Sequence, residues 1–208
     1  MARGPDGARV SDRPVVVAGA DAAAVAGQLG RAPHAMSAVA ARCPFGFPAV
    51  VEDLPYDAAG RPFPTLYYCT CPTLVAAVSR LESGGGVARW TARLAADPVL
   101  ARSAADAAAD TAVRRTDLVR AHELAAMDGG ASLSTGVGGV SDLLTVKCLH
   151  AHVAHALARP GYVLGEAMLA EVVDPWCDDR RCAAYPLDDG AEADGAGGAP
   201  PRRADGSP

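Results

Sequence analysis

The chain has 208 residues, a formal net charge of −5 and an apolar half that is rich in alanine and poor in aromatic residues. This mild acidity, without Lys/Arg clusters interleaved with aromatics, argues against a nucleic-acid partner. No run approaches the roughly 18 apolar residues of a membrane helix, so membrane insertion is not expected. The interrupted apolar stretch 15–29 makes a poor signal peptide. The sequence therefore predicts a cytoplasmic protein, in which the cysteines serve as thiols, ligands or nucleophiles rather than disulfides.

The domain organisation follows from composition. Residues 1–20 and 186–208 carry Gly, Asp, Ala and Pro without a hydrophobic pattern, which is typical of disordered tails. Between them, residues 21–185 are predicted to form one domain. Asp21 is expected to cap a short helix that ends at Leu29, before Gly30.

A β-hairpin is predicted next. The stretch around Arg31, His34 and Arg42 is interpreted as a solvated basic loop, although an anion site is an alternative. Val50 and Val51 indicate a short strand, residues 57–60 a turn, and residues 63–71 a second strand, which together favour an antiparallel hairpin.

The remaining elements are predicted to be helices, which makes the fold class α+β: mostly helical, with a small antiparallel hairpin or sheet. Their start and stop signals place them at 72–82, 87–96, 98–126, 143–158 and 165–173. Cys71 becomes the N-cap of the first, before Pro72, a position expected to favour its thiolate. Asp97 caps the long helix, in which Asp110 and Arg114 are expected to pair.

The densest chemical motif lies at 147–155, which holds one thiol and three imidazoles. On a helix, Cys148, His152 and His155 would share a face, with His150 about a quarter-turn away. This spacing predicts half of a metal or redox site. The only lysine of the chain, Lys147, precedes the motif.

Several motifs together resemble an actinobacterial family known only as domain of unknown function 501. They are Arg42-Cys43-Pro44, Pro62-Phe63-Pro64-Thr65-Leu66-Tyr67, Thr70-Cys71-Pro72, Arg80-Leu81-Glu82 and Val146-Lys147-Cys148-Leu149-His150. The resemblance implies that the family's cysteines correspond to Cys43, Cys71, Cys148 and Cys182, and its histidines to His150 and His155. It assigns no activity, and the genes that neighbour its members imply a link to cell-envelope or division processes.

Three hypotheses for function follow. The first is a structural or redox-responsive site in which Cys43, Cys71, Cys148 and Cys182, with His150 or His155, hold zinc or an iron–sulfur cluster. The second is a hydrolase-like enzyme with Cys71 as nucleophile and one of these histidines as base, so enzymatic activity stays open.

The third hypothesis is a non-catalytic helical adaptor for an unknown protein partner. It would bind that partner through its aromatic side chains Phe45, Phe47, Tyr67 and Tyr68.

Overall fold

The fold was obtained as a computed structural model, which describes residues 17, 19–33 and 35–185. The helices are α1 (Ala20–Leu29), α2 (Pro72–Ser83), α3 (Gly86–Ala96), α4 (Pro98–His122), α5 (Leu149–Ala158) and α6 (Val163–Leu169). The strands are β1 (Met36–Arg42), β2 (Pro48–Asp53) and β3 (Tyr67–Cys69), and short 3-10 turns occupy Ala131–Ser134 and Arg181–Ala184. The predicted α+β class is confirmed. Within the described ranges, no helix is long and apolar enough to cross a membrane.

The sheet contains the predicted hairpin and one further strand. Its order is β1-β2-β3, and both pairings are antiparallel. β2 is buried along its whole length, so backbone partners are needed on both of its edges. β1, which covers much of the predicted basic loop, supplies the second partner, whereas His34 lies outside the described residues. The strand predicted at 63–71 is shorter than expected and spans only Tyr67–Cys69.

Local signals place most helix ends correctly. Gly30 closes α1 in the left-handed region at φ 66°, as predicted, although Asp21 lies inside the first turn rather than at the cap. α2 begins at Pro72 with Cys71 as its N-cap. The Asp97 carboxylate caps α4 by accepting hydrogen bonds from the amides of Val99 and Leu100.

The helix predicted at 143–158 is wrong at its beginning. α5 starts at Leu149, and Cys148 is its N-cap with an extended backbone, φ −158° and ψ 125°. Asp142, expected near the start of this helix, instead closes a local turn by accepting from the Leu144 amide and the Thr145 hydroxyl. Cys148 therefore does not share a helical face with His152 and His155.

α5 is the central element of the core. Every residue from Leu149 to Ala156 is buried except His150, and the helix contacts β3 on one side and α6 on the other. α4 packs against α3 and α6, with Asp110 paired to Arg159 and Arg114 to Glu52 rather than to each other as predicted. The predicted disordered tails lie almost wholly outside the described residues, so the domain limits at 21 and 185 stay predictions.

Candidate metal centre

One carboxylate, one thiol and one imidazole meet where α2 approaches the start of α5. The ligand atoms of Glu82, Cys148 and His150 all lie within 4.8 Å of one another. His150 Nδ1 is 3.2 Å from Glu82 Oε1 and 3.7 Å from Cys148 Sγ. All three side chains are half-buried, and together they could hold a metal ion.

Backbone geometry brings these groups together. Glu82 is in the last turn of α2, and its Oε1 accepts a 2.6 Å hydrogen bond from the Leu149 amide. This carboxylate therefore caps α5 from another helix, satisfying one of the free N–H groups of its first turn. The positive end of the α5 dipole lies beside this carboxylate.

The second ring nitrogen of His150 is held by α2. His150 Nε2 lies 3.1 Å from the Val75 carbonyl oxygen and 3.3 Å from Ser79 Oγ. A hydrogen bond donated by Nε2 to that carbonyl fixes the ring and leaves Nδ1 free to face Glu82 and Cys148. Metal-ligating histidines in proteins are oriented in the same way.

The electrostatics of the group stabilise the imidazolium when no metal is bound. Burial opposes charge on His150, but its hydrogen bonds to Cys148 and to the Val75 carbonyl, together with the Glu82 charge, raise its pKa to about 9. Metal binding at Nδ1 would displace this proton.

A pocket of about 380 Å³ opens beside the group, with Lys147, Cys148 and His150 among its lining residues. Tyr68 and Cys69 also line this pocket. The Cys69 thiol donates to the His150 carbonyl oxygen at 3.6 Å, and burial, reinforced by the nearby Cys148 and Cys71, raises its pKa. A ligand in this pocket would contact Cys148 and His150 of the metal group.

Three of the predicted cysteine ligands lie elsewhere, around the start of β2. The Cys71 amide bonds to the Ala49 carbonyl, the Cys43 amide bonds to the Phe47 carbonyl, and Gln28 bridges the Pro48 carbonyl and Cys182 Sγ. All three thiols are buried. In the part of the chain that the structure describes, they do not join Cys148 in a group with ligand atoms within 4.8 Å.

The predicted activation of Cys71 is wrong. Burial raises the pKa of its thiol, and although the Leu74 and Thr73 amides at the start of α2 act in the opposite direction, they do not compensate. Cys71 is only 3% exposed. Its helix-terminal position therefore does not produce a reactive thiolate.

The other two histidines of the motif are core residues. A 2.6 Å hydrogen bond joins His152 Nδ1 to the Tyr162 hydroxyl, and the His155 ring packs edge-on against Tyr67 and Tyr162. Burial lowers the pKa of both imidazoles to about 4. His155 is thus placed among aromatic rings, apart from the group that His150 joins.

The aromatic residues predicted to bind a partner do not form one exposed surface. Tyr67 is buried, Phe45 and Phe47 are half-buried against the core, and Tyr68 is 37% exposed. Tyr68 instead lines the pocket beside the metal group.

Glu82 is the member of the group that was missed as a ligand. A carboxylate in the last turn of a helix faces the negative end of the helix dipole, which is unfavourable without a compensating partner. Two sequence signals single it out, this helix-end position and its place in the Arg80-Leu81-Glu82 motif, but neither indicates its partners, which are far away in the sequence.

Comparison with known proteins yields one family. The profile of the family described as "Protein of unknown function (DUF501)" matches residues 39–170, which confirms the resemblance expected from the motifs. The matched segment contains Glu82, Cys148 and His150 and ends before Cys182. No curated protein and no solved structure matches the chain.

Proposed function

The chain belongs to the DUF501 family of proteins of unknown function, and we propose that it is a zinc protein whose ion is held by Glu82, Cys148 and His150. The observation that carries this proposal is the meeting of three ligand atoms of suitable chemistry within 4.8 Å. Thiolate, imidazole and carboxylate are the ligands that zinc takes in proteins. An iron–sulfur cluster is disfavoured, because clusters are held mainly by several thiolates and this group contains one.

The geometry favours an open zinc site, which can exchange one ligand, rather than a closed structural site. Three protein ligands leave the fourth tetrahedral position open, as in catalytic zinc sites. Two of the ligands, Cys148 and His150, line the pocket, so the open position would face it. We propose a cytoplasmic protein in which zinc would bind an external ligand or polarise it.

Elemental analysis of untagged full-length protein purified without oxygen tests the proposal. We expect near-stoichiometric zinc in the natural protein and its loss in Glu82→Gln, Cys148→Ser and His150→Gln. Cobalt substitution should give a thiolate charge-transfer band that disappears in Cys148→Ser.

Matched controls separate this group from other residues of the same types. Cys177→Ser and His122→Gln alter a half-buried cysteine and an exposed histidine outside the group, and they should retain the metal. A folded natural protein that takes up no zinc after metal addition would refute the proposal.

A second candidate is favoured by the Cys148–His150 contact alone. Without metal, Cys148 Sγ would be a nucleophile that opens onto the pocket, with the His150 imidazole 3.7 Å away as its acid–base partner. Alkylation distinguishes the two functions. Zinc should protect Cys148 from iodoacetamide, whereas a nucleophilic enzyme would show rapid modification of Cys148 in the protein as isolated.

A further inference from the structure

The pocket beside the metal group has two chemically different kinds of lining residue. Its lining combines the polar or ionisable groups of Lys147, Cys148 and His150 with the apolar surfaces of Pro64, Tyr68 and Val75. Its volume of about 380 Å³ falls in the range of roughly 300–1,000 Å³ typical of small-molecule sites. A small ligand with one polar end and an apolar body matches this shape.

Lys147 is the free charge among these polar groups. It is the only lysine of the chain and is exposed at the pocket rim. It takes part in none of the ion pairs formed within the described residues. Its ammonium is therefore available to a ligand that enters the pocket.

The charge balance of the zinc-loaded site favours an anion. The ion's two positive charges are matched by the Glu82 carboxylate and the Cys148 thiolate, while His150 binds as a neutral ligand. Lys147 then leaves the site with a net positive charge. An oxygen anion at the open zinc position would neutralise it and accept a charge-assisted hydrogen bond from Lys147.

A buried guanidinium adds to the positive potential behind the pocket. A smaller cavity shares Thr65, Tyr67, Gly138 and Ala151 with the pocket, and Arg115 and Thr111 are among its other lining residues. Arg115 is 1% exposed, and all its hydrogen bonds go to neutral oxygens, those of Pro64, Ser132 and Thr135. Its Nε and the Thr111 hydroxyl have no hydrogen-bond partner in the described part of the chain.

We propose that this pocket binds a small molecule carrying an oxyanion, a carboxylate or a phosphate, held between the open zinc position and Lys147. Its apolar part lies against Tyr68 and Pro64. This inference rests on the proposed zinc site and adds the chemical class of its ligand.

Calorimetric titration of the zinc-loaded full chain tests the ligand class, with inorganic phosphate and acetate as separate titrants at constant ionic strength. Saturable binding of either titrant supports the proposal, and their relative affinities distinguish a phosphate ligand from a carboxylate. Lys147→Gln should weaken binding about tenfold, the loss expected for one charge-assisted hydrogen bond. Its zinc content should not change.

Two variants control for the charge at position 147 and for the loss of a positive charge elsewhere on the protein. Lys147→Arg keeps the positive charge and should retain most of the affinity. Arg120→Gln removes a positive charge from an exposed position of α4 outside the pocket and should bind as the natural protein does.

Anion binding and zinc uptake are measured separately, so the two proposals can fail independently. A zinc-loaded protein that binds neither anion, or binds them equally well in Lys147→Gln, overturns the oxyanion site and leaves the zinc site standing. A folded chain that takes up no zinc overturns both.

Discussion

Neighbouring histidines of one short motif have different environments and different roles. His150 lies in the first turn of α5, where its ring reaches α2 and the thiol of Cys148. His152 and His155, less than two turns further along, point into the core and contact Tyr162. The charge of an imidazole is stabilised only at the first position, since the other two lack a polar partner able to offset burial.

Burial of the His155 side chain predicts that the folded protein loses stability in acid. Burial lowers the pKa of His155 to about 4, with Arg159 and Arg115 acting in the same direction and Asp110 against it. The unfolded chain takes up this proton near pH 6.5, so it binds more protons than the folded chain between about pH 6.5 and 4. Stability should therefore fall as the pH drops through this range, by up to about 3 kcal/mol from His155.

Urea denaturation of His155→Phe between pH 7.5 and 4.5 measures this contribution. The variant keeps an aromatic ring between Tyr67 and Tyr162 but cannot bind a proton, so its stability should fall less steeply than that of the natural protein. His122→Gln, which alters an exposed histidine of α4, serves as the control for the loss of one histidine. Equal slopes in His155→Phe and the natural protein would contradict the assignment.

At the scale of elements, the two best-defined helix starts are capped in different ways. Asp97 caps α4 locally, from the residue immediately before the helix. Glu82 caps α5 from another helix, through the Leu149 amide. A cap from the adjacent residue can be predicted from the sequence, whereas a cap from another helix depends on where the two helices meet.

Removal of the local cap should destabilise the protein. Asp97→Ala deletes the hydrogen bonds to the Val99 and Leu100 amides, at a cost of about 1 kcal/mol. Thermal unfolding should show a midpoint lower by about 2–4 °C. Asp106→Ala, which removes an exposed ion pair with Arg102 on the same helix, should change the midpoint little. Equal losses in both variants would contradict the capping role.

At the scale of the whole molecule, the last described residues close against the first helix. Gln28 of α1 donates to Cys182 Sγ, and a Cβ on Gly27 would collide with the Tyr185 ring. Cys182 itself is 4% exposed. Cys182 and Tyr185 therefore pack against α1, although they lie beyond the residues matched by the family profile.

Truncation tests this boundary. A chain ending at residue 185 should unfold at the same temperature as the full chain, because the predicted tail 186–208 contributes no hydrophobic pattern. A chain ending at residue 177 should unfold at a clearly lower temperature, because α1 loses its contacts with Cys182 and Tyr185. A large loss on removal of residues 186–208 alone would show that the tail belongs to the fold.

The sequence by itself determined the features that depend on residues close together in the chain. Pro72, Asp97 and Gly30 fix helix ends through backbone geometry and hydrogen bonds within a single turn. The hairpin between β2 and β3 and the family membership could be predicted for the same reason, because both depend on short motifs of consecutive residues.

Only the tertiary structure determines which of the candidate ligand side chains meet. Cys148 and His150 were predicted ligands, but their partnership with Glu82 depends on packing between distant segments. The same packing places Cys43, Cys71 and Cys182 near one another and apart from Cys148. β1 forms because a fully buried β2 needs partners on both edges, and α5 begins where a carboxylate from α2 meets its first amide. Such long-range hydrogen bonds and burial leave little trace in local residue patterns. For this reason Cys148, His152 and His155, predicted from their spacing to share one helical face, lie in two different environments.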